Sequence, residues 1–230
     1  MDPHYELHAD EQSYLYYRAM LYGHVDNEIP LYFMYRGLAR PQDAALFESW
    51  KVRFDITVIP PARLGEEPVK TAGHYHREVE AGLAYPEILE VLVGEAHFLL
   101  QKPRDDALVD VVLVQGSTGD KLLVPPEYGH VTINPSPETL VMANLVSSTF
   151  KPLYDPYRAR RGAAYYEFYD GRLVPNPRYG PLPPLRRAHA RDQQNQLPQG
   201  NIYGMFVEDH ASLQFLNQPR SLSAVRLALN

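Results

Sequence analysis

Cysteine is absent from this chain of 230 residues, which excludes disulfide bonds and thiol chemistry. No apolar run approaches the roughly 18 residues that a membrane-spanning helix requires, and no run of lysine and arginine is longer than three residues. With a formal net charge of −6, the chain is a poor match for nucleic acid or an anionic membrane as a main partner. The N-terminal segment lacks the basic and apolar regions of a signal peptide, so we expect none and a cytoplasmic location.

Helical periodicity is also sparse, whereas proline is frequent, with 21 residues. Short runs of β type follow one another from residue 52 onward, separated by turn residues such as Pro60-Pro61 and Pro125-Pro126. Many short strands with regular turns predict a sandwich or a barrel, and hence a mainly all-β fold. The predicted strands are Leu31–Tyr35, Val52–Ile59, Val69–His76, Glu87–Val93, Ala96–Gln101, Val109–Val114, Lys121–Val124, His130–Asn134 and Thr139–Val146.

The chain divides into three parts by composition. We predict an N-terminal arm over residues 1–30, a barrel over residues 31–180, and a Pro-rich linker with a C-terminal extension over residues 181–230. The stretch Pro41–Trp50 predicts a short helix within the barrel region.

The two flanks carry further expectations. A helix is predicted around Glu11–Leu21, residues 175–200 have the composition of an extended linker, and Ile202–Leu216 has some β character. The arm and the tail have few partners in a barrel of this size, and free strand edges favour pairing between copies. We therefore expect a homodimer.

The spacing of histidines in the middle of the chain predicts a metal site. His74 and His76 are two residues apart, so on a strand their side chains point to the same face. A carboxylate and a third histidine from later strands, Glu87 and His130, can complete the set. Three histidines and one carboxylate suit a divalent first-row transition metal with an open position for substrate. Iron, manganese, nickel and zinc all remain open.

Two segments around these residues resemble the signature motifs of the cupin family, which are small double-stranded β-helix barrels. The first is His74-x-His76, ten residues, Glu87, six residues and Gly94. The second is Gly119, five residues, Pro125-Pro126-Glu127, two residues, His130, three residues and Asn134, with Glu127 where the family usually has glycine. The resemblance implies a cupin barrel.

Glu80 is the alternative to Glu87 as the carboxylate ligand, because it also follows His76 closely. It lies in a polar stretch with the composition of a loop, and no glycine stands seven residues after it. Glu87 opens an apolar strand that ends at Gly94, so we favour Glu87. His97 lies outside both motifs, and we expect it to be structural.

Longer segments are similar to the archaeal-type (cupin) phosphoglucose isomerases over roughly residues 31–180. The segments that carry this resemblance are Thr57–Gly65, Thr71–His76, Pro86–Gly94, Phe98–Gln101, Leu123–His130 and Asn176–Tyr179. The resemblance implies a metal-dependent interconversion of glucose 6-phosphate and fructose 6-phosphate.

The resemblance also implies roles for single residues. The metal positions fall on His74, His76, Glu87 and His130. Thr57, Thr71 and Gly73 match positions around the sugar phosphate, and their hydroxyl and backbone N–H groups can hold a phosphate. Tyr32 matches a tyrosine near the site. Glu87 is expected to move a proton during catalysis. Glu127 departs from the family pattern, and this new carboxylate could serve as a second acid/base group or be solvated at the rim of the barrel.

Several positions depart from the family pattern. Leu89, Glu127 and Val146 stand where the family commonly has tyrosine, and an expected histidine is missing from Phe150–Tyr157. These departures favour a shifted substrate or a weakened isomerase. The alternatives left open are an iron-dependent oxygenase, a sugar epimerase, or a non-catalytic sugar-binding module.

Overall fold

A computed structural model describes residues 31–80, 82–192 and 197–222. The N-terminal arm with its predicted helix at Glu11–Leu21 lies outside the described residues. The strands, in chain order, are β1 Phe33–Tyr35, β2 Val52–Ile59, β3 Arg63–Leu64, β4 Glu67–Pro68, β5 Tyr75–His76, β6 Glu78–Glu80, β7 Leu83–Ala84, β8 Glu87–Val93, β9 Glu95–Arg104, β10 Ala107–Ser117, β11 Lys121–Val124, β12 Gly129–Ile133, β13 Leu140–Ser147, β14 Pro152–Leu153, β15 Tyr165–Glu167, β16 Leu173–Pro175 and β17 Leu185–His189.

Helices are few among the described residues, as the sequence predicted. The α-helices are α1 Ala44–Trp50, α2 Asp155–Ala159 and α3 Ile202–Asp209, and the 3-10 helices are Pro177–Tyr179, His210–Leu216 and Pro219–Ser221. Within the described part of the chain, no helix has the length and apolar character needed to cross a membrane.

Two sheets form the barrel. The first has five strands in the order β1-β2-β13-β8-β11, and the second has four strands in the order β12-β9-β10-β17. One continuous core includes Leu89 and Val91 from the first sheet and Phe98 and Leu100 from the second. The prediction of a mainly all-β cupin barrel, a double-stranded β-helix, is confirmed.

Strand β2 has two faces of different character. Val52 and Phe54 pack into an apolar cluster on the outer side of the first sheet. The alternate residues Arg53, Asp55 and Thr57 line a cavity on the inner side of the same sheet. Because side chains alternate along a strand, the polar set of β2 faces the barrel interior, and this arrangement positions the site described below.

The C-terminal extension covers the outer face of the first sheet. Ile202 and Phe206 are fully buried there, and the Phe206 ring centroid lies 4.5 Å from that of Phe47. The prediction of β character for Ile202–Leu216 is wrong, because this stretch forms α3 and a 3-10 helix. Asn201 caps α3 by accepting from the Gly204 N–H, and apolar residues three and four positions apart form its buried face.

The tail is also tied to the sheet by a polar contact. The carboxylate of Glu90, on the outer face of β8, accepts a hydrogen bond of 2.8 Å from the backbone N–H of Ile202. The first N–H groups of a helix have no partner within the helix. Glu90 therefore satisfies a buried backbone donor at the point where the tail meets the barrel.

Part of the predicted linker belongs to the second sheet. Strand β17 pairs in parallel with β10, although residues 175–200 have the composition of an extended linker. Arg186 of β17 donates to both carboxylate oxygens of Asp110, at 2.9 and 2.6 Å. This bidentate ion pair fastens the segment to the barrel edge.

Replacing Asp110 with asparagine should weaken folding at neutral pH. Burial alone would raise the pKa of Asp110, but hydrogen bonds from Arg186 and Tyr128 outweigh it, so this pKa lies below its ordinary value. A carboxylate whose pKa is lower in the folded than in the unfolded state stabilises the fold at pH values above the unfolded pKa. This stabilisation is lost as the pH falls through the pKa of the folded state. We expect the free energy of unfolding to fall by about 1 kcal/mol at pH 7. The effect is no larger because solvent screens this partly exposed ion pair.

Urea unfolding at pH 7 and at pH 3 measures this effect. The difference between Asp110→Asn and the unmodified chain should shrink at the lower pH, where the aspartate itself becomes protonated. An equal difference at both pH values would show that the charge of Asp110 does not stabilise the β10–β17 contact.

Candidate metal centre

A bulged segment before β5 brings the first histidine into place. The prediction of a continuous strand over Val69–His76 is only partly right, since isolated bridges join Lys70 to Ile133 and His74 to His130. Between these two bridges the chain advances four residues on one strand, from Lys70 to His74, but only three on the other, from His130 to Ile133. The extra residue forms a β-bulge. His74 and His130 exchange two backbone hydrogen bonds, of 3.3 and 3.0 Å. Residues directly opposite across such a pair have neighbouring side chains.

His76 and Glu87 complete the group. The Nδ1 of His76 donates to the carbonyl oxygen of Tyr85 at 2.6 Å, and its Nε2 lies 3.2 Å from Oε2 of Glu87. The Nε2 of His130 lies 3.6 Å from the same oxygen. One ligand atom from each of the four residues, His74 included, lies within 4.8 Å of those of the other three.

The unsatisfied atoms in this group fit a bound cation. Nε2 of His76 and Oε2 of Glu87 are buried, with no hydrogen-bond partner among the described residues. Because Nδ1 of His76 carries the ring hydrogen, both of these atoms are acceptors. Two buried acceptors 3.2 Å apart are costly unless a positive charge lies between them. The donor set, three imidazoles and one carboxylate, could hold a divalent transition metal.

The electrostatics of the histidines favour the form that binds metal. Burial and then the neighbouring His76 lower the pKa of His74 to about 4. Burial, and then His74 and His76, hold the pKa of His130 well below its ordinary value of 6.5. Neutral imidazole is the metal-binding form of histidine, so these two side chains need not lose a proton near neutral pH.

The alternative carboxylate lies elsewhere. Glu80 accepts a hydrogen bond of 3.0 Å from the backbone N–H of Arg220 and does not belong to the histidine group. The geometry therefore favours Glu87 over Glu80, in agreement with the choice made from the sequence.

A cavity of about 180 Å³, lined by both polar and apolar residues, opens beside the histidines. Three predicted substrate-binding residues, Tyr32, Thr57 and Thr71, line it. The Thr71 hydroxyl oxygen accepts from the backbone N–H of Thr132 at 3.0 Å, which leaves its hydrogen able to donate to a ligand. The volume is below the roughly 300–1,000 Å³ of sites for drug-sized molecules, so the cavity suits a small polar ligand.

Two predicted site residues do not line this cavity. Gly73 faces the ring of Tyr157, where a Cβ atom would lie 2.2 Å from Cδ1. Glu127 lies in the turn before β12, and its carboxylate pairs with the amino group of Lys102 at 2.7 Å. Glu127 is therefore on the outside of this cavity, and its role as a second acid/base group stays a prediction.

The sequence analysis missed other residues that line the cavity. These polar residues are Arg36, Arg53, Asp55, Thr132 and Asn144. A signal for two of them was present, because Arg53 and Asp55 lie at alternate positions before Thr57 on one strand and share its face. Of the three residues that depart from the tyrosines expected from the resemblance, Leu89 lines the cavity, whereas Glu127 and Val146 do not.

Two aromatic side chains cover the histidines. The Phe150 ring centroid lies 4.3 Å from that of His76 and 5.9 Å from that of His74. The Tyr154 centroid lies 5.5 Å from that of His74. These rings separate the histidines from solvent on one side and lower the local dielectric.

Sequence similarity relates this chain to archaeal glucose-6-phosphate isomerases. Glucose-6-phosphate isomerase of Thermococcus litoralis is 32% identical over 83 residues, which are 36% of this chain and 40% of that protein. Glucose-6-phosphate isomerase of Pyrococcus furiosus is 27% identical over 116 residues, 46% of this chain and 57% of that protein. The matched segments thus span about half the length of these relatives.

Solved structures overlap more loosely. Vicilin from Capsicum annuum has a TM-score of 0.42 at 16% identity, covering 59% of this chain and 34% of that chain. A variant of oxalate decarboxylase from Bacillus subtilis has a TM-score of 0.37 at 18% identity, covering 52% and 26%.

A family model spans both histidine motifs and nearly the whole barrel. The model described as glucose-6-phosphate isomerase (GPI) matches residues 6–183, a range that contains all four residues of the histidine and glutamate group. By this match over most of its length, the chain belongs to the glucose-6-phosphate isomerase (GPI) family.

Proposed function

We propose that this protein is a metal-dependent isomerase that interconverts glucose 6-phosphate and fructose 6-phosphate. The observation that carries the proposal is the group of His74, His76, Glu87 and His130 beside a cavity that polar side chains help to line. Membership of the glucose-6-phosphate isomerase family supports the reaction class. The similarity to individual isomerases covers about half the length of those proteins.

A divalent metal held by these four residues would act as a Lewis acid on the sugar oxygens and raise the acidity of the adjacent C–H bond. Glu87 is the carboxylate that both lines the cavity and belongs to the group. In our proposal it takes the proton from C2 of the open-chain aldose and returns it to C1. The hydroxyl proton moves from O2 to O1, so the ketose forms with no net gain or loss of atoms.

The cavity walls hold and shield the sugar. Thr71 and Thr57 offer hydroxyl donors. Phe150 and Tyr154 exclude water from the side where they cover the histidines. Exclusion of water strengthens the electrostatic interactions of the site and keeps the proton on the path between C1 and C2.

The polarity of the cavity bears on the alternatives. An oxygenase that acts on apolar molecules needs a largely apolar pocket. Apolar residues such as Leu89, Met142 and Phe150 line part of this cavity, but the charged Arg36, Arg53 and Asp55 line it as well and favour a polar ligand. A sugar-binding module without catalysis would use the same lining, and turnover distinguishes it from an isomerase.

Isomerisation assays with metal-stripped and metal-loaded protein test the proposal. We expect a chelator to abolish turnover of glucose 6-phosphate, and added iron, manganese, nickel or zinc to restore it to different extents. Unphosphorylated glucose should be turned over far less efficiently, since it lacks the anionic group.

Two outcomes would contradict the proposal. Turnover that is unaffected by removal of all metal would exclude the metal-dependent reaction. Metal-loaded protein that converts none of glucose 6-phosphate, fructose 6-phosphate and mannose 6-phosphate would exclude the isomerase and favour a binding module, provided that calorimetry still detects sugar-phosphate binding.

A further inference from the structure

One wall of the cavity carries charged residues that the metal group does not use. Arg53 and Asp55 project from the inner face of β2, and Arg36 follows β1 directly. Strand β1 pairs antiparallel with β2, and Tyr35 lies opposite Ile56. The three charged side chains are therefore neighbours across the edge of the first sheet.

Asp55 fixes the orientation of Arg53. The Asp55 side chain is 0% exposed, and Nε of Arg53 lies 2.9 and 2.8 Å from its two oxygens. The backbone N–H of Gly37 donates to the same carboxylate at 2.8 Å. A buried carboxylate requires such partners, so Asp55 and Arg53 hold each other in one geometry.

This arrangement leaves part of the Arg53 guanidinium available. A guanidinium has five N–H donors, and the contacts of Arg53 in the described residues use Nε. Its terminal amino groups are therefore able to bind another acceptor. The Arg53 side chain is 23% exposed, which gives a ligand access from the cavity.

Arg36 adds a second guanidinium at the same end. Within the described part of the chain it donates to Sδ of Met34 at 3.5 Å, and it lines the cavity beside Arg53. Two guanidinium groups and one carboxylate leave a net charge of +1 (2 − 1) at this end. The chemistry suits an anion with several acceptor oxygens, such as a phosphate monoester.

Arg53 and Glu87 face the cavity from strands that are two apart in the first sheet. Strand β13 lies between β2 and β8, which carries Glu87. Two strand spacings place the backbones of β2 and β8 about 10 Å apart. A hexose 6-phosphate likewise carries its reacting carbons, C1 and C2, and its phosphate at opposite ends of the molecule.

We propose that Arg53, positioned by Asp55, and Arg36 bind the phosphate group of the sugar phosphate. This assignment rests on the proposed function. It adds donors to those of Thr57 and Thr71 in a cavity that Gly73, one of the predicted phosphate contacts, does not line.

Calorimetry on metal-loaded protein tests the assignment with glucitol 6-phosphate, which cannot isomerise, and with inorganic phosphate. Arg36→Gln and Arg53→Gln should each weaken binding of both probes on the order of tenfold. The KM for glucose 6-phosphate should rise more than kcat falls, because the contact is to a group that does not react. Metal affinity should change much less than the affinity for the two probes, since the charge of Arg36 also acts on His74.

Two further variants sharpen the test. Arg53→Lys keeps the charge without the planar fork and should recover part of the lost affinity. Arg172→Gln is the matched control, because Arg172 is an exposed arginine paired with Asp170 away from the cavity. If Arg53→Gln fails to fold because it leaves Asp55 unpaired, the Arg36→Gln variant still decides.

The outcomes separate the two proposals. Variants that bind glucitol 6-phosphate as tightly as the unmodified protein would overturn the phosphate assignment and leave the isomerase proposal intact. A different result would separate the proposals the other way. If the unmodified protein binds phosphate, both arginine variants fail to bind it, and the unmodified protein isomerises no sugar phosphate, the anion site stands and the proposed function fails.

Discussion

Glu87→Gln should lower the affinity for a divalent metal by about 100-fold or more and abolish isomerisation. Changes in groups that merely support metal ligands cost about 10–100-fold, and Glu87 lies in the group itself. Glutamine keeps the size of the side chain but removes the negative charge between His76 and His130, whose Nε2 atoms lie 3.2 and 3.6 Å from Oε2. Titration of stripped protein with zinc or manganese measures the affinity directly.

Glu80→Gln is the control for this experiment, since Glu80 was the other candidate carboxylate. Its contact is with the backbone of Arg220, so metal binding and turnover should stay near those of the unmodified protein. The reverse pattern, with metal lost in Glu80→Gln and kept in Glu87→Gln, would show that the metal group has been assigned wrongly.

Gly73→Ala should destabilise the protein by about 1–3 kcal/mol, the range for overpacking a tight interior. A Cβ at this position would lie 2.2 Å from Cδ1 of the Tyr157 ring and 2.7 Å from Cγ2 of Val131. Tyr157 is fully buried, so its ring cannot move aside into solvent. For a chain of this length we expect the melting temperature to fall by roughly 2–4 °C per kcal/mol.

The same substitution should also disturb the metal group, because Gly73 precedes His74 in the bulge opposite β12. Gly204→Ala is the matched control, since a Cβ there comes no closer than 3.4 Å to Asn201. That change replaces a helical glycine and should stabilise slightly. Equal melting temperatures for Gly73→Ala and the unmodified chain would show that the contact with Tyr157 is loose.

Local patterns predicted the elements whose signals are contained in one segment. The predicted strands Glu87–Val93 and Lys121–Val124 match β8 and β11 residue for residue. The spacing of His74 and His76 placed two imidazoles on one side, and the later motif supplied His130. The structure brings these residues together with Glu87.

Other elements depend on partners that are distant in sequence. The strand Leu185–His189 forms because its backbone pairs with β10 and Arg186 meets Asp110. No local run of β-favouring residues announces it. In contrast, the helix at Ile202–Asp209 had a local signal, an Asn cap followed by apolar residues three and four apart, which the β interpretation overlooked.

The sequence by itself determined which residues could hold a metal and which alternate residues of β2 share a face. It did not determine which face of β2 lies inside. Val52 and Phe54 form the apolar face, which in an isolated sheet would be expected to face the core. The C-terminal helices bury that face from outside, so the polar face with Arg53, Asp55 and Thr57 lines the interior cavity. The alternation of residue types along β2 shows that the two faces of the strand differ. Which face lines the ligand cavity is decided only in the tertiary structure, where the C-terminal helices cover the apolar face.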